Sequence, residues 1–166
     1  MTFQLTEPIL VIGLGGVGTR LAEKTKKSLN SDCLMISHDQ NDITTENSIK
    51  ISTKSVVNPS THLIRGSTLE TSDEIKKNIT NYSTIILMSN LAGKAGTGIG
   101  PIVSKICKQE QKNLLSFAVM PFKFEKERIF QSGIALKRIR QDSQCTIVID
   151  NDALLDSNPD LSHEQC

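Results

Sequence analysis

Apolar residues in this chain fall into short continuous runs separated by stretches of helical period. Ile9-Leu10-Val11-Ile12, Cys33-Leu34-Met35-Ile36, Thr84–Met88, Leu114–Met120 and Thr146-Ile147-Val148-Ile149 read as strands, being rich in branched side chains and too short for apolar helices. Val17, Leu21, Thr25 and Leu29 recur every four residues with Lys24, Lys26 and Lys27 off the stripe, which predicts an amphipathic helix over Val17–Leu29. Ile99, Ile102, Val103, Ile106 and Cys107 stand at i, i+3, i+4, i+7 and i+8, predicting a helix to Glu110 with Pro101 in its first turn, where a missing N–H costs nothing. Ile129, Gly133 and Leu136, flanked by Phe130 and Ile134, mark another helix within Glu127–Gln141. Ser72 with Asp73 and Glu74 reads as an N-cap and acidic first turn of a short helix ending near Asn81. His38–Ser48 holds one apolar residue, Ile43, and reads as a loop; Ile49–Ile51 and Val56-Val57 are edge-strand candidates. Continuous apolar strands suit a sheet covered on both faces, and their alternation with helices predicts an α/β, doubly wound, mostly parallel sheet.

Composition narrows the partners. A chain of 166 residues fits one domain. Nineteen Lys and Arg against 18 Asp and Glu give a net charge of +1, so no global field holds nucleic acid or an anionic membrane, and a partner must be recognised by a local site. Runs such as Ile85-Ile86-Leu87-Met88 stop short of the ~20 residues of a membrane span, and Met1-Thr2-Phe3-Gln4 lacks the features of a signal peptide, so a cytoplasmic location is expected. Cys33, Cys107, Cys145 and Cys166 are far apart without metal-ligand spacing; the first three sit in apolar segments and read as buried free thiols. His38, His62 and His163 form no cluster with a nucleophile, so no hydrolytic triad is expected, and Lys137, Arg138 and Arg140 read as a solvated helix end.

Two glycine-rich segments carry the candidate chemistry. Gly13-Leu14-Gly15-Gly16-Val17-Gly18 follows a strand and opens a helix, where glycines let backbone N–H groups approach a phosphate at the positive end of the helix dipole. Asp39 lies 21 residues after Gly18 at the end of the second strand, where a Rossmann-like dinucleotide fold places its ribose carboxylate. That reading is an NAD(P)-binding oxidoreductase domain. Gly93-Lys94-Ala95-Gly96-Thr97-Gly98-Ile99-Gly100 occupies the same topological position after Thr84–Met88, and two such loops suit the two ends of one polyphosphate. No G-x-x-x-x-G-K-[ST] occurs, which excludes a Walker A loop.

With both loops in view the chain resembles the nucleotide-binding domain of the tubulin/FtsZ family of cytoskeletal GTPases. The resemblance rests on Gly13–Gly18, on Ala92-Gly93-Lys94-Ala95-Gly96-Thr97-Gly98 followed by Pro101, on Pro121-Phe122-Lys123-Phe124-Glu125 with Arg128 after it, and on Asp150-Asn151-Asp152-Ala153-Leu154-Leu155. It implies a Rossmann-like fold over residues 1–156, with 157–166 as the start of the family's central helix or a tail, and GTP or GDP with Mg²⁺ as ligands. Gly15, Gly16 and Gly18 with the Gly96-Thr97-Gly98 loop would hold phosphates through backbone N–H groups. Val17, Thr19, Ala92, Gly93, Lys94 and Ala95 would line the same nucleotide pocket, Glu125 and Arg128 would take the ribose side, and Asn151 the guanine edge. Asp39 would lie near phosphate and Mg²⁺. Phe122 and Phe124 would be packing residues.

Some positions depart from the family pattern. Thr19 stands where FtsZ has asparagine, and Lys94 and Ala95 replace a glycine and a threonine; Lys94 is either a point charge beside the triphosphate or a solvent-facing lysine. The glycine-rich loop over the γ-phosphate is reduced to Arg65-Gly66-Ser67-Thr68. The family's catalytic carboxylates lie beyond the segment matched here and act on a neighbouring subunit's nucleotide, so hydrolysis by the chain alone is expected to be impaired. Partners implied are a guanine nucleotide and either self-association or association with a full-length relative. A filament-capping or regulatory module that binds GTP is the alternative role.

Overall fold

Five apolar runs and the short edge segment around Ile49 become the strands of one fully parallel sheet. The computed structural model describes residues 2–54, 56–158 and 160. The strands are β1 (Ile9–Leu14), β2 (Asp32–Ser37), β3 (Ser48–Lys50), β4 (Thr84–Asn90), β5 (Asn113–Met120) and β6 (Cys145–Asp150). They lie in the order β3-β2-β1-β4-β5-β6. Between them run α1 (Gly15–Leu29), α2 (Thr61–Glu70), α3 (Ser72–Ile79), α4 (Lys94–Gln109) and α5 (Lys126–Asp142), and α6 (Asn151–Ser157) follows β6.

Side chains alternate across the sheet, and in β1, β2 and β4 both sets are buried, whereas Ile147 and Val148 of the edge strand β6 are exposed. Leu10, Ile12 and Leu14 of β1 join Ile64 of α2, Ile75 and Ile79 of α3 and Ile99, Val103 and Ile106 of α4 in the larger core. Val11, Met35, Ile86 and Met88 face the other way onto Ala22 and Leu21 of α1. Each fully buried isoleucine contributes about 1.5–3 kcal/mol through the area it removes from water, which is why the strands are continuous apolar runs. Chain connections leave β1 in one direction and β4 in the other. Such a switch point opens a crevice at the carboxyl ends of these two strands, where doubly wound sheets bind ligands.

The structure corrects several expectations. Arg65-Gly66-Ser67-Thr68 is not a loop: it lies inside α2, whose N-terminus is capped by Ser60 Oγ accepting from Leu63 N at 3.2 Å. The sequence hid this helix because its apolar stripe is sparse, with Ile64 its only large hydrophobic side chain that is fully buried. Pro101 is not in a first turn but is the eighth residue of α4, which begins at Lys94, so most of the second glycine segment is helix. Val57 is fully exposed and Val56-Val57 form no strand. Ser72 is the first residue of α3 rather than its cap, its hydroxyl donating to Leu69 O at 2.6 Å, while Asp73 and Glu74 do occupy the first turn. The His38–Ser48 segment carries a 3-10 turn at Gln40–Asp42. Cys33 and Cys107 are buried but Cys145 only half so; Cys166 lies outside the described residues, as do Pro159 and Leu161–Cys166 of the expected tail. Burial pushes the Cys107 thiol up to about 12 and keeps it unreactive.

Candidate functional site

Because every strand is parallel, the segments after β1, β2, β4, β5 and β6 all emerge on one rim of the sheet. The first glycine segment ends β1 and forms the first turn of α1. Gly15 has φ +67°, a backbone region that disfavours a side chain, and a Cβ there would also lie 2.8 Å from Ala95 Cβ of α4. A Cβ on Gly18 would lie 2.5 Å from the Met88 carbonyl of β4, so the missing side chain lets α1 sit against the switch-point strand. On the other side of the crevice a Cβ on Gly96 would overlap the Asn90 carbonyl at the end of β4. The short turn before α4 is held by Ala92 N donating to Asn90 Oδ1 at 3.0 Å and Gly93 N to Asn90 O at 3.2 Å, while Ser132 Oγ of α5 donates to Leu91 O at 2.6 Å.

The two helix starts therefore touch through Gly15 and Ala95. Neither has a side-chain cap, since Leu14 and Gly93 stand in the capping places and offer no acceptor, and neither has an acidic residue in its first turn. Their leading N–H groups have no partner within the helix. Two uncapped helix N-termini facing one crevice form a cradle for a multiply charged anion. Gly16 and Val17 are half-buried within it, and Gly98 is buried against Ile64 of α2. Thr97 Oγ1 donates back to Gly93 O at 3.1 Å.

Charged residues expected at the site have definite partners. Lys94 is exposed and its Nζ donates to Asn58 Oδ1 at 2.6 Å and Pro59 O at 3.0 Å, clasping the segment that leads into α2. Asp39 Oδ1 accepts from Asn41 N at 2.9 Å and caps the 3-10 turn. The carboxylate nearest the cradle belongs to Asp42: its Oδ1 would lie 2.7 Å from a Cβ on Gly16, and its Oδ2 accepts from Ser37 Oγ at 2.7 Å. Sequence reasoning missed Asp42. The Asp39-Gln40-Asn41 step marks an Asx turn, but no sequence signal shows that the acid after it meets Gly16. His38 lies beside this group; burial holds its imidazole below the ordinary value, against the pull of Asp39 and Asp42, with Lys94 and Lys50 adding to the lowering.

Farther along the rim, Glu125 Oε2 accepts from Phe122 N at 3.0 Å and its Oε1 pairs with Arg128 Nη1 at 3.1 Å, so these two expected residues do come together. Lys123 N donates to Asp152 Oδ2 at 2.9 Å, joining the turn after β5 to the start of α6. Phe122 is buried, whereas Phe124 is 69 % exposed and stacks on it with ring centroids 5.0 Å apart. Asn151 opens α6, is 9 % exposed, and has a buried Oδ1 with no hydrogen-bond partner; Thr19, 3 % exposed in α1, has a buried Oγ1 in the same condition. A buried polar atom without a partner costs about 1–3 kcal/mol, and a ligand that supplies donors removes that cost. The residues thus fit a nucleotide: a backbone cradle for its phosphates and unpartnered polar side chains elsewhere on the rim.

The Tubulin/FtsZ family, GTPase domain, matches residues 8–159 of this chain. Cell division protein FtsZ 2 of Halobacterium salinarum is 31 % identical over 87 residues, covering 52 % of this chain and 22 % of the relative. Cell division protein FtsZ 1 of the same organism is 26 % identical and covers 93 % of this chain and 41 % of the relative. Among solved structures, an empty FtsZ dimer from M. jannaschii superposes with a TM-score of 0.82 at 23 % identity, covering 94 % of this chain and 48 % of that one. CetZ from Methanosaeta thermophila gives 0.73 at 17 % identity, covering 91 % and 48 %. These structures share the fold, and the chain spans half or less of the length of the relatives it matches. Neither the capping module nor the oxidoreductase reading is favoured by the matches.

Proposed function

This chain belongs to the tubulin/FtsZ family and spans its GTPase domain, and from that membership we propose that it binds GTP and GDP in the crevice between the N-termini of α1 and α4. The observation that carries the reading is the contact of those two uncapped helix starts at Gly15 and Ala95. Backbone N–H groups of Gly15, Gly16 and Val17, and of Lys94, Ala95 and Gly96, take the phosphates, with Gly18 letting α1 sit close against β4 and Mg²⁺ on the triphosphate. Ala92, Gly93, Thr97 and Gly98 hold the second cradle in shape. Glu125 and Arg128 face the ribose side. Asn151, with Thr19, meets the base; the unpartnered Oδ1 of Asn151 is an acceptor suited to the N–H edge of guanine.

Near-neutral charge is consistent with this reading. The phosphates are held by backbone dipoles, so a basic surface is not required. Hydrolysis and assembly belong to the same proposal: the family resemblance implies that the groups positioning the attacking water come from a neighbouring subunit, here a longer relative that carries them, in the cytoplasm. Equilibrium binding of GTP, GDP and NAD to the chain tests the reading, together with GTP turnover measured alone and with a full-length relative. Tight GTP and GDP binding, with turnover raised by the relative, is the expected result; preference for NAD overturns it.

A further inference from the structure

Asp42 presents a negative charge to a cradle built for anions. Its carboxylate is fixed from two sides, Ser37 Oγ donating to Oδ2 at 2.7 Å and the Asp39-capped turn setting its direction, with Asp42 N donating to Asp39 O at 3.3 Å. Oδ1 would lie 2.7 Å from a Cβ on Gly16, and Oδ2 would lie 4.0 Å from one on Gly15. Among the described residues no Lys, Arg or His lies within ion-pair distance of this carboxylate. The near lysine, Lys94, gives its ammonium to Asn58 and Pro59.

A phosphate in the cradle would therefore meet an uncompensated carboxylate across a short gap. Like charges at about 4–6 Å shift an ionic equilibrium by one or more powers of ten. A hard divalent cation reverses that sign, because Mg²⁺ is commonly held by one or two carboxylates together with phosphate oxygens and water. We propose that Asp42 makes phosphate binding at the first glycine loop conditional on a divalent cation, its carboxylate being the protein's contribution to that cation's oxygen shell. The proposal rests on the nucleotide reading above and assigns to Asp42 the place beside the cation that the family pattern gives to Asp39: Oδ1 of Asp39 is tied to the turn, and it is Oδ1 of Asp42 that lies against Gly16.

The test is equilibrium binding of GTP to the full chain in Mg²⁺ and in EDTA, for the wild type, Asp42→Asn and Asp39→Asn, with thermal melts to establish folding. Asparagine keeps the size of the side chain and still accepts from Ser37. Wild type is expected to bind GTP at least about tenfold more tightly in Mg²⁺ than in EDTA. Asp42→Asn is expected to bind more tightly than wild type in EDTA and to lose most of the Mg²⁺ advantage, while Asp39→Asn retains it. Ser37→Ala keeps the charge and loosens its position, giving a second variant whose Mg²⁺ advantage falls below that of wild type. An Asp42→Asn chain with the wild-type Mg²⁺ advantage, or with weaker binding in EDTA, overturns the proposal and leaves the nucleotide reading intact. Absence of GTP binding by the folded wild type in either condition overturns both.

Discussion

Arg65 Nη2 donates to the carbonyl oxygen of Thr97 at 3.4 Å. In an α-helix that carbonyl accepts from the residue four positions on, here Pro101, which has no N–H to give. Arg65, on α2, thus satisfies a backbone acceptor that the proline leaves open in the helix forming half of the phosphate cradle. Replacing Arg65 by Met keeps the apolar stem and removes the donor, with an expected loss of about 1–2 kcal/mol in unfolding free energy. In a Pro101→Ala background the alanine N–H reaches the same carbonyl, so the cost of Arg65→Met should fall by at least about half. Denaturant unfolding of the four chains gives the coupling; equal costs in both backgrounds contradict the relationship.

Gly66 separates helix from phosphate loop at the same segment. It lies inside α2, and a Cβ there would meet nothing within 4 Å. Gly66→Ala should therefore stabilise the protein by about 0.5–1 kcal/mol and leave GTP affinity unchanged. Thermal or denaturant melts with a GTP titration check both; weakened GTP binding would return this segment to the nucleotide.

Gly96 is the opposite case. An added methyl would overlap the Asn90 carbonyl, which also accepts from Gly93 N, so the backbone of the second cradle must shift. Gly96→Ala should cost about 1–3 kcal/mol of stability and, at temperatures where the chain remains folded, weaken GTP binding by about tenfold or more. Calorimetric titration beside a melt separates the two effects.

Most of the fold was legible because five strands are continuous branched runs and α1 and α4 have clean helical stripes. The α2 helix was not: its burial rests largely on Ile64, and Gly66 in its middle mimics a loop. The glycine segments were legible as phosphate cradles, yet the sequence placed the helix start too late, because glycines 96, 98 and 100 lower helix propensity while tertiary contact with Asn90, Ile64 and Ile139 requires their small size. Asp42 and Arg65 were invisible as participants since each acts through a contact between distant segments, Asp42 with Gly16 and Arg65 with Thr97.

Tyr82, the sole tyrosine in a chain without tryptophan, supplies a pH-dependent readout of the sheet's other end. Its hydroxyl donates to Asp32 Oδ2 at 2.7 Å, and that bond, followed by burial and the charge of Asp32, raises its pKa from 10.0 to about 12. The folded chain holds the phenolic proton more tightly than the unfolded chain. The associated stability is therefore whole below pH 10.0 and is lost as pH rises through about 12. Tyrosinate absorbance against pH should show one midpoint near 12 in the folded chain and near 10 in denaturant, and Tyr82→Phe should lack the alkaline loss of stability.

The central claim is that the crevice between α1 and α4 holds a guanine nucleotide whose base meets Asn151. It is tested most directly by titrating GTP and ATP into the wild type and Asn151→Leu. A site whose acceptor pairs with a ligand N–H rejects an analogue lacking that group by large factors. The account predicts GTP binding at least about 100-fold tighter than ATP in the wild type, with the difference falling below about tenfold in Asn151→Leu. Equal affinity for GTP and ATP in the wild type, or a GTP preference that survives in Asn151→Leu, would contradict it.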